Sequence, residues 1–189
     1  MNSIVKMGGT LFAFSAVAAL LLAGTNEITK PIIEQRDLQA NNEARTQVLP
    51  GSKDFKEIDK SEYSSANAPT VKEVFQGIDG SNEIGYTIKT SPKGYGGDIE
   101  LTIGISKDGK IMGVNVGNNT ETPGLGAKAA DPAFKDQYKG KEVSTPIEVE
   151  KSGVASGNKV KAISGATITS NAVTDGVNEA IEIYNAVNK

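Results

Sequence analysis

Three residue types that carry much of protein chemistry are missing from this sequence: cysteine, histidine and tryptophan. Without cysteine and histidine, the chain has no disulfides, no thiol or imidazole nucleophile, no zinc site of the usual kind and no cysteine-ligated iron–sulfur cluster. Aromatic residues make up 5% of the chain and the net charge is −3. Both the stacking surfaces and the basic footprint typical of nucleic-acid-binding proteins are therefore lacking. Any redox chemistry here must come from an organic cofactor.

Charge is also missing from one long segment, Met7 to Thr25, within a chain of 189 residues. About 20 apolar residues span a bilayer, so this pattern predicts a transmembrane anchor over residues 7–26. A cleaved signal peptide is the alternative, and its cleavage site requires small residues at positions −1 and −3. For cleavage after Ala23 or Gly24, position −3 is a leucine. We therefore expect the anchor to be retained.

The charges beside this segment predict its orientation. Lys6 and the N-terminal amine precede the segment, whereas Glu27 follows it. By the positive-inside tendency, residues 1–6 are expected in the cytoplasm and the bulk of the chain outside, at the cell (inner) membrane. Lys30 and Arg36, beyond the span, count against this orientation.

The remainder of the chain is predicted to hold a polar connection and one domain. Residues 27–70 are polar and charged, which predicts a juxtamembrane stalk followed by a loop or weakly structured linker. A compact domain is predicted over residues 71–189. Its first part alternates apolar and polar residues, most clearly from Ile99 to Ile105, and an Asp108-Gly109 hairpin signal precedes a returning strand. This alternation predicts an antiparallel meander with one buried face.

The end of the chain carries the clearest helical pattern. Its apolar stripe has the spacing of an amphipathic helix and comprises Val173, Val177, Ala180, Ile181, Tyr184 and Val187. We expect this helix to cover the sheet. The predicted fold class is thus α+β, with an N-terminal transmembrane helix, an antiparallel-sheet domain and a C-terminal helix.

A hydroxyl-rich segment, residues 164–170, leads into this helix with the sequence Ser-Gly-Ala-Thr-Ile-Thr-Ser. Two interpretations are open. Ser164, Thr167 or Thr169 could cap the free N–H groups of the first turn. Alternatively, the helix N-terminus could bind a phosphate, because its N–H groups and dipole favour an anion.

Two glycine-containing loops lie upstream. Glu-Thr-Pro-Gly-Leu-Gly occupies residues 121–126, and Gly-Tyr-Gly-Gly occupies residues 94–97. Each could be no more than a tight turn. Each could also let the backbone approach a ligand closely, and Tyr95 could pack on an aromatic ring.

The segments 164–167 and 121–126 together resemble two motifs of the covalent-FMN domains of bacterial Rnf and Na⁺-NQR complexes, in the expected order. Asn119 and Phe134 stand where that family often has histidine and tryptophan. The resemblance implies FMN attached to Thr167 through a phosphoester. The cofactor-side residues that it implies are Ser164, Gly165, Ala166, Thr122, Gly124, Leu125, Gly126, Tyr95 and Gly96.

Chain length and the single N-terminal span are more similar to the RnfG family of Rnf complexes than to the longer NqrC family of Na⁺-NQR complexes. This likeness implies an electron carrier in an ion-translocating ferredoxin:NAD⁺ oxidoreductase, not catalytic alone, with other membrane and redox subunits as partners. Maturation would require a flavin transferase that consumes FAD. The alternatives are an NqrC-like protein, a stand-alone flavinylated electron-transfer protein and a non-redox, membrane-anchored binding domain. No nucleic-acid partner and no metal site are expected.

Overall fold

The computed structural model describes residues 2–188, so Met1 and Lys189, the outer ends of two predicted ranges, lie outside it. Two compact units are distinguished, residues 1–42 and residues 43–189. The helices are α1 (Asn2–Val48), α2 (Pro132–Lys135) and α3 (Thr167–Val187). The strands are β1 (Asp54–Glu57), β2 (Val71–Asp79), β3 (Asn82–Thr90), β4 (Leu101–Ser106), β5 (Ile111–Val116), β6 (Glu148–Glu150) and β7 (Lys159–Lys161).

Helix α1 contains the predicted span. Its large apolar side chains are exposed, among them Leu11, Phe12 and Leu22. At 1.5 Å per residue, residues 7–26 rise about 30 Å, the thickness of a bilayer's hydrocarbon core. Among the described residues, α1 is the one helix with the length and composition to cross a membrane. The helix also continues through residues 27–48, where a stalk was predicted, with Pro31 inside it.

Five strands form one antiparallel sheet in the order β1-β2-β3-β4-β5. Adjacent strands are neighbours in sequence, as predicted for a meander. The turn between β4 and β5 is closed by the Gly109 amide, which donates to the Ser106 carbonyl over 2.9 Å. This confirms the hairpin expected at Asp108-Gly109.

One face of the sheet carries the main core. Ile88 of β3 and the alternating residues of β4 are fully buried, and so are Val173 and Val177 of α3. Branched aliphatic side chains on a strand and an apolar helical stripe can both leave water only by packing on each other. The predicted helix-on-sheet packing is therefore confirmed.

The opposite face carries glycines, and the end of α1 packs there. A Cβ at Gly104 would collide with the carbonyl oxygen of Val48, and one at Gly77 would lie 2.6 Å from Leu49 Cδ2. Val48 and Leu49 are accordingly buried. We call this contact the glycine seat; it comprises Val48, Leu49, Gly77, Gly104 and Gly113.

Arg45 strengthens the same region. Its guanidinium lies 2.7 Å from Glu73 Oε2 and 3.6 Å from the centre of the Phe75 ring. Both partners belong to β2. The last turn of α1 is thus held on the sheet by an ion pair and a cation–π contact as well as by apolar packing.

The loop or weakly structured linker predicted within residues 27–70 is wrong in part. Strand β1 pairs antiparallel with β2, and a 3-10 turn follows at Lys60–Tyr63, with Tyr63 buried. The compact unit therefore includes residues 43–70 as well as the predicted 71–189. The strand escapes prediction because it is short, polar and at the sheet edge, where no alternation is required.

The segment between β5 and α3 is built from short elements. Helix α2 is followed directly by a 3-10 turn, Asp136–Tyr138. The Tyr138 hydroxyl is hydrogen-bonded to Thr174 Oγ1 at 2.7 Å, and burial raises the pKa of this phenol. Strands β6 and β7 pair in parallel. The Tyr138–Thr174 hydrogen bond ties the connection to the buried side of α3.

Candidate functional site

A cleft of about 550 Å³ lies where three loop segments meet. One segment is the 94–97 turn, one is the 121–126 loop, and one is the junction that leads into α3. The residues lining the cleft are Tyr95, Glu121, Thr122, Leu125, Gly126, Gly165, Ala166, Thr167, Ile168 and Thr169. Its volume is within the range of about 300–1,000 Å³ usual for small-molecule and cofactor sites.

Helix α3 begins at Thr167, inside the hydroxyl-rich segment, and its N-cap is Ala166. Ala166 has no side-chain capping bond. The predicted capping by Ser164, Thr167 or Thr169 is therefore wrong. The N-cap position falls on an alanine, whose methyl group cannot accept a hydrogen bond, and the Thr169 hydroxyl donates to Glu121 instead.

The hydroxyls in this segment differ sharply in their surroundings. Ser170 Oγ is buried, accepts from the Ile163 amide and donates to the Ala166 carbonyl, each at 2.9 Å. Thr169 is 1% exposed and its hydroxyl donates to Glu121 Oε2 over 2.6 Å. Thr167 is half-buried on the cleft, and within the described residues its hydroxyl has no hydrogen bond.

Gly165 makes the tight entry into α3. Its φ of 75° is in the left-handed region, which a residue with a side chain rarely adopts. A Cβ there would also lie 3.2 Å from Leu125 Cδ2 in the facing loop. The glycine therefore lets the chain turn into the helix while the loop stays close.

The 121–126 loop is held by its own backbone. The amides of Leu125 and Ala127 both donate to the Thr122 carbonyl, at 3.1 and 3.2 Å. Gly124 supplies the required left-handed residue, with φ 79°. Leu125 remains exposed at the mouth of the cleft.

Glu121 ties the three segments together. It is 6% exposed, although it carries a carboxylate. Its Oε1 accepts from the Gly96 amide over 2.9 Å, and its Oε2 accepts the Thr169 hydroxyl. Gly126 lies against this pair, because a Cβ there would collide with Glu121 Oε2 and lie 2.7 Å from Thr169 Oγ1.

Most of the implied cofactor-side residues come together in this cleft. Seven of them line it: Tyr95, Thr122, Leu125, Gly126, Gly165, Ala166 and Thr167. Ser164, Gly124 and Gly96 do not, although the Gly96 amide donates to Glu121, which lines the cleft.

Sequence reasoning missed three lining residues, Glu121, Ile168 and Thr169. Thr169 lies four residues before Val173, on the buried stripe of α3, so its periodicity could have predicted burial. Ile168 is an exposed apolar residue in a polar turn, which is a weaker signal. Nothing in the loop sequence indicates that the Glu121 carboxylate is buried.

Comparison with known proteins assigns the chain to a family. The model for an FMN-binding domain matches residues 94–182, and the model for the RnfG N-terminal region matches residues 1–48. The G subunit of a Na⁺-translocating ferredoxin:NAD⁺ oxidoreductase complex from Acetobacterium woodii is 42% identical over 195 residues, covering 98% of this chain and 94% of the relative. The chain belongs to the RnfG family.

A second relative is similar over nearly the same length. The G subunit of an ion-translocating oxidoreductase complex from Methanosarcina acetivorans is 37% identical over 187 residues, covering 98% of this chain and 96% of that one. The predicted preference for RnfG over NqrC is thus confirmed.

Solved structures show the same fold outside the RnfG family. The C subunit of the Na⁺-translocating NADH-quinone reductase of Parabacteroides distasonis matches with a TM-score of 0.60 and 22% identity. The match covers 82% of this chain and 96% of that chain. At this identity the likeness establishes the shared fold, which confirms the predicted α+β class.

Proposed function

We propose that this chain is the electron-carrying RnfG component of an ion-translocating ferredoxin:NAD⁺ oxidoreductase, with FMN attached to Thr167 through a phosphoester. Family membership and the names of its relatives support the complex. One observation carries the attachment site: Thr167 is the cleft-lining hydroxyl of the 164–170 segment that has no hydrogen-bonding partner among the described residues.

The competing hydroxyls of the segment are poorly suited to attachment. Thr169 and Ser170 are almost fully buried and each is engaged in hydrogen bonds, so a modifying enzyme would have to open the first turn of α3 to reach them. Ser164 is exposed but does not line the cleft. Accessibility and position in the cleft therefore both favour Thr167.

The start of α3 suits the phosphate of such a linkage. The first N–H groups of a helix have no intrahelical carbonyl partner, and no side chain among the described residues caps them here. The first turn also contains no acidic residue. A negative phosphodiester at Thr167 would gain about 0.3–1 kcal/mol from the helix dipole.

The cleft also fits the rest of FMN. Tyr95, Leu125 and Ile168 present apolar surface around it and are exposed, with Tyr95 at 72%. Such side chains could cover a flavin ring by stacking and dispersion contacts. When bound, FMN supplies the redox chemistry that the side chains of this chain lack. The chain's own residues hold and orient the ring and shield it from water.

The attachment is a group transfer whose co-reactants are FAD and a flavin transferase. Thr167 Oγ1 would form a bond to the phosphorus of the FMN half of FAD, and the pyrophosphate bond would break. AMP leaves, and the hydroxyl proton passes to a base of the transferase. The exposed Gly165 beside Thr167 leaves the approach unhindered.

Intact mass measurement tests this function. The full chain is expressed with and without a flavin transferase and then denatured. We expect a mass increase of one FMN less one water only with the transferase, and peptide mapping is expected to find it on Thr167. A protein that stays unmodified, or carries FMN on another residue, contradicts the proposal.

The proposed orientation, with residues 1–6 in the cytoplasm and the domain outside, has a direct test because the chain has no cysteine. Val154→Cys places a single thiol at a position 90% exposed. In intact cells, a membrane-impermeant maleimide should label this variant and should label the matched variant Ser3→Cys only after lysis. The reverse pattern would refute the orientation.

A further inference from the structure

We propose that Glu121 is a positioning residue that holds Thr167 towards the cleft and that its charge lowers the reduction potential of the attached flavin. This inference rests on the proposed attachment of FMN at Thr167. Glu121 is one of the residues that sequence reasoning missed.

The carboxylate joins all three segments of the cleft. Oε1 accepts from Gly96 in the 94–97 turn and Oε2 accepts from Thr169 in the first turn of α3, at 2.9 and 2.6 Å. Glu121 itself begins the third segment. Hydrogen bonds to a buried ionised group are among the stronger ones in proteins. Loss of this carboxylate would therefore remove the hydrogen bonds that hold the 94–97 turn and the first turn of α3 to the 121–126 loop.

Two glycines make room for this arrangement. A Cβ at Gly94 would collide with Glu121 Oε1, and a Cβ at Gly126 would collide with Glu121 Oε2. Both glycines therefore face the carboxylate at close range. The Glu121 contacts alone explain why these two positions lack a side chain. No approach of the backbone to a flavin ring is needed to explain it.

Holding Thr169 also orients Thr167. The two residues are the first and third of α3, and positions two apart on a helix point about 200° away from each other. Thr169 is 1% exposed and fixed on Glu121, so the Thr167 side chain is turned away from that hydrogen bond. The hydrogen bond of one threonine thus determines the exposure of the other.

The charge of Glu121 has a second effect. Among the residues lining the cleft, it is the only one with a carboxylate, ammonium or guanidinium group. Both of its hydrogen-bond partners are donors, which suits an acceptor-only, ionised carboxylate. A negative charge in a partly desolvated site opposes the gain of further negative charge, so it makes a bound redox group harder to reduce.

The potential of the loaded protein tests the charge. Glu121→Gln retains the size of the side chain and removes its charge, and Asp98→Asn is a matched control that removes an exposed carboxylate beside the same turn. We expect a more positive flavin potential in Glu121→Gln and the wild-type potential in Asp98→Asn. An unchanged potential in Glu121→Gln, or an equal shift in both variants, overturns this effect.

The flavin-free protein tests positioning. Thr169→Val removes the donor to Glu121 at nearly constant size, whereas Thr169→Ser keeps it. We expect Thr169→Val to accelerate amide exchange in the first turn of α3 and to slow flavin loading on the order of tenfold, the factor for losing a hydrogen bond to a charged group. Thr169→Ser should recover most of the loading. Wild-type exchange and loading in Thr169→Val overturn the positioning role.

These outcomes separate this inference from the proposed function. If the wild-type chain takes up no FMN at all, the proposed function fails. If the wild type loads normally while Glu121→Gln and Thr169→Val match it in loading rate, exchange and potential, only the role of Glu121 fails. Melting temperatures of the flavin-free variants establish that each one is folded.

Discussion

The two parts of α3 use their side chains in opposite ways. In the first turn, residues 167–170, polar side chains dominate, and one hydroxyl on the cleft makes no hydrogen bond within the part of the chain that the structure describes. From Val173 to Tyr184 the inward side chains are mostly apolar and pack on the sheet. Attachment needs an accessible group, whereas stability needs buried ones. Changes in the two parts should therefore separate flavin loading from folding.

The largest expected effect is at the first residue of the helix. Thr167→Ala should abolish covalent FMN, because it removes the hydroxyl proposed to form the phosphoester. Its melting temperature without flavin should stay close to that of the wild type, since this hydroxyl makes no hydrogen bond within the described residues. Thr167→Ser keeps a hydroxyl and should retain partial loading. Intact mass and thermal denaturation of the three proteins provide the measurement.

The second prediction concerns the core beneath α3, where a substitution should reduce stability and leave flavin loading intact. Leu101 of β4 is fully buried and faces α3, where a Cβ at Gly176 would lie 2.8 Å from Leu101 Cδ1. Leu101→Ala should lower the free energy of unfolding by about 2–5 kcal/mol. Folded protein should still load at Thr167. Urea denaturation gives the stability, with the exposed Ile168→Ala as the control, expected to change it by less than about 0.5 kcal/mol. A large loss in the control would break the distinction between the two parts.

The smallest effects are expected in the 121–126 loop. Gly126→Ala should cost about 1–3 kcal/mol through overpacking and also slow loading, because the added Cβ disrupts the Glu121–Thr169 hydrogen bond. The Cβ added by Gly124→Ala would have no atom within 4 Å. Its cost in folding free energy, about 1–2 kcal/mol, therefore comes from the left-handed backbone alone. Loading in this second variant should remain normal. Equal loading defects in the two variants would show that the Glu121–Thr169 bond is not what Gly126 protects.

The body of α3 and the central strands could be predicted because periodicity reports burial directly. Alternation along β4 and the helical stripe from Val173 each place apolar side chains on one face, and both predictions agree with the structure. The hydroxyl-rich segment, residues 164–170, could be placed at a helix start for the same reason. Regular elements with one buried face show a clear hydrophobic periodicity in the sequence.

The features that escaped prediction depend on contacts between distant segments. The burial of Glu121 arises only when the 94–97 turn and α3 meet it, and no local pattern encodes that. The glycine seat shows the same limitation, because Gly104 and Gly113 interrupt strands without an apolar signal while they accommodate Val48. The capping interpretation fails because the N-cap position falls on Ala166, while the Thr169 hydroxyl has a tertiary partner in Glu121.

The glycine seat also sets an order of events during synthesis. Val48 and Leu49 emerge early, attached to the apolar helix, but Gly104 and Gly113 belong to strands made much later. Contacts between distant parts of a chain can form only once the intervening residues exist. The end of α1 must therefore wait until β5 has been delivered beside it, and α3 follows later still. Thr167 can consequently join its cleft only after the 94–97 and 121–126 segments have been made, so the proposed flavin attachment would follow the synthesis of all three segments.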